Sequence, residues 1–280
     1  MEARSLTQLT TVPVTQRVAL IAEGLDLIAE QVTTLHGDLR HLIEVGRRRS
    51  AAVVDGLAQE EAAKPLILLD VVRMGWRDQA LVQRQLRRFY DHLARGIYAR
   101  VVDVRPADLA EVRRYVDNLR RSHYLDGPND VDWIFRNEIM AEREDGLYVD
   151  YVMAEDERFW TTPRRRDDYP ALRPAMVIEL IIALDRMGCL SVQGLEVVAS
   201  AWRGKVIEDD TLWTTIGTLN RQIVNEFYKA ALAKTELTER DVRLILEQWT
   251  FPLTNVDLDS VTVKSEDLQA QRDRWLANQW

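Results

Sequence analysis

IAEGLDLIAEQVTTLHGDLRHL, from Ile21 to Leu42, sets Ile21, Leu25, Ile28, Val32, Leu35, Leu39 and Leu42 at alternating steps of four and three. At 100° per residue these side chains form one apolar seam through about six helical turns. The segment is therefore a long amphipathic helix of the kind that builds bundles and coiled coils. A seam of this length beside a basic helix further on suggests that two copies of the chain pair through this helix and the one that carries Leu86 to Ile97.

The same periodicity continues outward from this segment. A second helix is expected from about Ser50 to Met74, with Val54, Leu57, Leu69 and Val72 inward and Pro65 either bending it or opening a new first turn. A third is expected from Asp78 to Arg100 on the stripe Leu86, Phe89, Leu93 and Ile97, and a shorter one after Pro106, ending near Arg121. The turn DGPND at Asp126 to Asp130 and the polar stretch TTPRRRDDYP at Thr161 to Pro170 interrupt the pattern. The second interruption divides the chain into a helical bundle over 1–160 and a helical accessory region over 161–280. That region carries helical patterns at Pro174 to Met187, Val192 to Arg203, Asp209 to Ala233 and Thr238 to Trp249. Thr238 and Asp241 have capping-box spacing, PLTNVDLDSVTV after Trp249 reads as extended or irregular, and Ser265 is placed to cap a last helix. The fold class is all-α.

Composition removes several functions. Cys189 is the only cysteine, so an intramolecular disulfide and multi-thiolate metal sites are excluded. A net charge of -8 and a pI near 5.2 argue against indiscriminate nucleic-acid binding, though not against a local basic seam. No glycine-rich phosphate loop, zinc-ligand cluster or Glu-x-x-His pair occurs, so neither a cofactor nor a metal is expected. With no signal-like leader and no uncharged apolar run of membrane length, the expectation is a cytoplasmic protein without a membrane partner.

Against that acidic background, QRQLRRFYDHLARGIYAR at Gln83 to Arg100 gathers Arg84, Arg87, Arg88, His92, Arg95 and Arg100. On one continuous helix Arg88, His92 and Arg95 would share a face, and Arg87 would lie 140° from His92. A histidine among guanidiniums can take a proton near neutral pH while the arginines hold a phosphate. The same residues also fit an ordinary solvated helix face. Glu60 and Lys64 have the spacing of a plain helix ion pair, or Glu60 can reach across the bundle to orient a basic side chain. Arg47, Arg48 and Arg49 fit a solvated helix junction or a contact for RNA phosphates.

AEGLDLIAEQ at Ala22 to Gln31, LIEVGRRRSAAVVDGLAQEEAAK ending at Lys64, and FYDHLARGIYA at Phe89 to Ala99 resemble the AbiV-type abortive-infection proteins of the HEPN superfamily. The likeness covers roughly residues 15 to 125. The family's E-x3-K element falls on Glu60 and Lys64, and its R-x4-6-H element on Arg87 and His92. Where the family usually has H-x2-K, this chain has His92 and Arg95. Arg88 stands where many HEPN ribonucleases carry a smaller polar residue, so Arg87 and Arg88 both remain candidates.

The resemblance implies a HEPN-like bundle and a homodimer whose paired motifs form one composite, metal-independent ribonuclease site. His92 would activate the ribose 2'-hydroxyl, and Arg87 or Arg88 would stabilise the charged transition state. Glu60, Lys64 and Arg95 would support them, while Arg47, Arg48, Arg49 and Arg84 would hold the RNA. The products would carry 2',3'-cyclic phosphate ends, and the activity would serve defence against phage, released by a phage-encoded activator. The alternative is a non-catalytic interaction module that senses a phage protein or a nucleotide. Burial of His92 against carboxylates of its own subunit would favour that alternative.

Overall fold

Ile21, Leu25, Ile28, Val32 and Leu39 all turn inward from α1 (Val14–Glu44) onto α2 (Arg48–Met74). The computed structural model describes residues 5–124, 135–145, 147–154, 157–162 and 174–261, with scattered positions from 266 to 277. Between the two long helices the chain reverses at Gly46, whose φ of 74° only a glycine adopts without strain. The Arg47 amide donates to the Leu42 carbonyl and the Gly46 amide to Ile43, which closes the end of α1.

From Ala62 to Val72 α2 is buried almost all round, as a central helix must be, with Pro65 accommodated inside it. Around it pack α1, α4 (His92–Val101), α7 (Met176–Arg186) and α8 (Val192–Trp202). Leu86, Leu93 and Ile97 are buried within a single copy of the chain, as are Ile21, Leu25, Ile28, Val32 and Leu39 of the α1 seam, with Leu35 and Leu42 partly buried. This corrects the expected pairing surface, because side chains already packed inside one copy cannot join two. The large apolar residues left exposed on the long helices are Val14, Leu20 and Leu27 on α1 and Leu57 on α2.

The helix expected over Asp78 to Arg100 is two helices, α3 (Gln79–Arg88) and α4. Asp91 adopts an extended backbone and its carboxylate accepts from the Ala94 amide, so it caps a new helix instead of continuing the old one. Phe89 and Tyr90 form the turn between them. The 140° offset between Arg87 and His92 therefore does not apply.

α5 (Leu109–Leu119) is capped by Asp108 and ends close to where the pattern placed it. Two short antiparallel hairpins, β1 (Ser122–Tyr124) with β2 (Phe135–Asn137) and β3 (Asp150–Ala154) with β4 (Glu157–Thr161), flank α6 (Glu138–Asp145). These minor strands were not expected and leave the protein an all-α bundle with additional C-terminal helices. DGPND and most of the TTPRRRDDYP stretch lie outside the described residues, as does Ser265.

α7, α8, α9 (Trp213–Lys229) and α10 (Glu239–Gln248) appear where the patterning placed them, and Thr238 and Asp241 form the reciprocal capping box. One buried cluster runs from Ile21 through Leu184 and Trp249 to Leu258, so these helices share the core of the N-terminal bundle.

Beyond α10 the irregular segment 250–261 is strapped down by arginines. Arg73 donates to the Thr250 carbonyl, Arg84 to Thr254, Arg113 to Asn255, and Arg88 to both Leu253 and Val256. Among the described residues no helix is long and apolar enough to cross a membrane.

Candidate functional site

α2 and α4 lie side by side, which brings Glu60 against His92, the first residue of α4. His92 Nδ1 is 2.7 Å from Glu60 Oε2, and the Arg95 guanidinium, one turn on, lies 2.8 Å from the same ring nitrogen and 3.1 Å from the same carboxylate oxygen. One nitrogen cannot both donate to Glu60 and accept from Arg95. A carboxylate accepts only, so the consistent arrangement has Nδ1–H and the Arg95 Nη2–H both donating to Glu60. That tautomer leaves Nε2 with a free lone pair.

Exposure divides the group. The His92 side chain is 40% exposed, whereas Glu60 is 16% and Arg95 11% exposed. The imidazole is thus held from behind by a shielded carboxylate and open in front, and Nε2 has no hydrogen-bond partner among the described residues.

Arg143 completes the carboxylate's shell, with its Nε 3.0 Å from Glu60 Oε1. It reaches there because α6 packs directly on α4 at Gly96, where an added Cβ would lie 2.2 Å from Ile139 Cγ2. Only a glycine allows that approach. Glu142 of α6 also pairs with Arg100 of α4. Sequence reasoning missed Arg143, since EREDG at 142–146 surrounds it with acidic residues and carries no periodic signal pointing toward Glu60.

Lys64 does not pair with Glu60. Its ammonium is 2.5 Å from Glu61 Oε2 and 5.2 Å from the Phe89 ring centre, so it braces the α3–α4 turn. The i,i+4 ion pair is replaced by an i,i+3 pair because Glu60 is engaged across the bundle. Of the two readings weighed for Glu60, orientation of a basic side chain is the one with a contact in the structure.

The adjacent arginines diverge. Arg87 is exposed at the end of α3, with no side-chain hydrogen bond or ion pair among the described residues. Arg88 is 6% exposed and points inward, its guanidinium donating to Gln85 Oε1 at 2.8 Å, the Leu253 carbonyl at 2.8 Å and the Val256 carbonyl at 2.5 Å. A guanidinium committed in this way cannot also clamp a substrate phosphate without releasing the C-terminal strap. The expectation of Arg88 as a stand-in for Arg87 is corrected on that ground.

Behind Arg88 lies a buried polar network that connects α2, α3 and α4. Gln85 donates to Tyr98 Oη at 2.6 Å, and Tyr98 donates to Asp70 Oδ2 at 2.7 Å. Asp70 also accepts from the Leu253 amide and from Arg73, whose guanidinium is stacked between Trp202 and Trp249. Burial raises the Asp70 carboxyl and the Tyr98 phenol above their ordinary ranges, and lowers Arg73 below its own.

The remaining basic residues are not gathered at His92. Arg84 donates to the Thr254 carbonyl, a contact that holds the strap. Arg47, Arg48 and Arg49 are exposed at the start of α2, roughly 18 Å along its axis from Glu60 at 1.5 Å per residue. Among the described residues no cluster of three or more His, Cys, Asp or Glu is arranged to hold a metal ion.

A family model described as AbiV, of the HEPN type, matches residues 20–175, more than half of the chain. No curated protein and no solved structure matches it.

Proposed function

Since the chain belongs to the AbiV family of the HEPN superfamily, and with it to antiviral defence, we propose that it is an endoribonuclease whose proton-transfer group is His92. The observation that carries this reading is the Glu60–His92 pair, a shielded carboxylate that fixes the Nδ1–H tautomer behind an open Nε2. An imidazole so oriented is prepared to accept a proton.

In the proposed reaction Nε2 takes the proton of a ribose 2'-hydroxyl. The 2'-oxygen then attacks the adjacent phosphorus in line, the P–O2' bond forms as the P–O5' bond breaks, and the departing 5'-oxygen collects a proton. The products are a 2',3'-cyclic phosphate and a 5'-hydroxyl. Arg87, without a side-chain partner among the described residues, offsets the charge that builds on the phosphoryl oxygens. Arg95, Arg143 and Lys64 hold Glu60 and the α3–α4 turn in place. Arg47, Arg48 and Arg49 are assigned to more distant stretches of the RNA, and no cofactor or metal has a role.

We assign a second copy to the face beside Leu57, which is exposed one turn from Glu60 and Glu61. Two such faces in register would bring the Arg87/His92 pairs together and supply a second imidazole to protonate the leaving oxygen. The protein acts in the cytoplasm, restrained until a phage-encoded activator appears.

One observation favours the second reading, a non-catalytic sensor. Glu60, Arg95 and Arg143 engage His92's surroundings within a single copy, as a purely structural ion network would. The exposure of the imidazole favours the enzyme.

Mixing distinguishes these readings. RNA incubated in EDTA with activated protein should acquire 2',3'-cyclic phosphate ends. His92→Ala and Arg87→Ala proteins should each be inactive, and co-refolded mixtures of the two should regain part of the activity. Mixtures no more active than their components would remove the composite site.

A further inference from the structure

We propose that the cleft between α7 and α10 is a binding site for a nucleoside polyphosphate, separate from the His92 site. The cleft has a volume of about 450 Å³, within the roughly 300–1,000 Å³ typical of small-molecule sites. It is bordered by Arg105 from the α4–α5 connection, Glu179 from α7, and Arg240, Arg243 and Glu247 from α10.

The charges suit a phosphate chain. Three guanidiniums converge on one concavity, and a guanidinium presents a planar donor fork that matches phosphate oxygens. Arg243 is exposed and has no side-chain partner among the described residues. Arg105 is paired with Glu247 at 2.5 Å and Arg240 with Glu179, but both arginines are more than 60% exposed. Exposed ion pairs contribute only about 0–1 kcal/mol, so phosphate oxygens can replace the carboxylates at little cost.

The rest of the lining explains why a nucleotide fits better than a bare anion. Glu179 and Glu247, once their arginines turn to phosphate, are acceptors for ribose hydroxyls or a base amino group. Gln248, 5% exposed, closes the inner edge of the cleft. Met176 and Leu244 supply apolar surface on which a base can lie. A simple phosphate would use the arginines and leave the remaining groups idle.

Gln248 also borders the small buried cavity lined by Asp70, Arg73, Tyr98 and Leu253. The cleft thus abuts the buried network that ends at Arg88.

The test is calorimetric titration of the full chain with ATP, GTP and inorganic triphosphate. At least one nucleotide should bind saturably with 1:1 stoichiometry, and inorganic triphosphate at least about ten-fold more weakly. Arg243→Glu and Arg105→Ala should each weaken nucleotide binding by about ten-fold or more with the circular dichroism spectrum unchanged. The proposal is overturned if neither nucleotide binds at millimolar concentration, if inorganic triphosphate binds equally well, or if binding survives both substitutions. RNA cleavage is not read, so failure here is distinct from failure at His92.

Discussion

Glu60 Oε2 and His92 Nδ1 meet at 2.7 Å across α2 and α4, residues 32 apart in sequence held in one orientation by a carboxylate that also receives Arg95 and Arg143. Replacing Glu60 with Gln keeps the shape, and because Arg143 donates to the Oε1 position the amide carbonyl stays there and the NH2 faces Nδ1, which favours the opposite tautomer and puts the proton on Nε2. Cleavage should fall toward the roughly 10²–10⁴-fold loss expected when general-base catalysis is removed. Nitrogen NMR of the labelled imidazole should show the tautomer change in the same variant.

Arg87 and Arg88 should separate activity from stability. Removing Arg88 leaves two buried carbonyls and Gln85 Oε1 without their donor, a loss on the order of 3 kcal/mol. Thermal denaturation of Arg88→Ala should show Tm lowered by roughly 5–10 °C. Arg87→Ala, at an exposed position, should stay within about 0.5 kcal/mol of the parent while losing cleavage. The reverse pattern would exchange the two roles.

Gly96 is the point where α6 rests on α4, and Ile139 occupies the space a methyl group would take. Gly96→Ala should push α6 outward and withdraw Arg143 from Glu60. Hydrogen exchange should accelerate across 138–145 and remain slow in the buried turns of α2.

His36 provides a pH test on the other side of the bundle. Burial, followed by Arg40 and Arg186, lowers its pKa, and Glu179 only partly opposes them. Because the folded value lies below the unfolded 6.5, the unfolded chain takes up the proton first. The contribution is therefore present above pH 6.5 and is lost as pH falls toward the folded value. Tm measured from pH 7.5 to 5.5 should decline less steeply for His36→Gln than for the parent chain.

Much of the fold was legible because helical burial repeats in sequence. The Ile21-to-Leu42 series, the Thr238 capping box and the irregular run after Trp249 each have a local physical signature, and each stands where it was placed. The break at Asp91 was hidden. Leu86, Phe89, Leu93 and Ile97 keep helical spacing straight through it, while the deciding event is one carboxylate capping one amide.

The candidate site was legible to the same degree. Glu60, His92 and Arg95 come together, but Arg88's inward turn depends on carbonyls at Leu253 and Val256, 165 and 168 residues away. Arg143 arrives through a helix contact at Gly96. Neither depends on any spacing within the motif.

The most direct measurement is the cleavage rate of activated wild-type protein against His92→Ala, in EDTA, scored by 2',3'-cyclic phosphate ends, with circular dichroism showing both to be equally helical. Loss of roughly 10²–10⁴-fold is the expected result for the proton-transfer group. An unchanged rate in the folded His92→Ala protein would contradict the assignment and place the chemistry elsewhere.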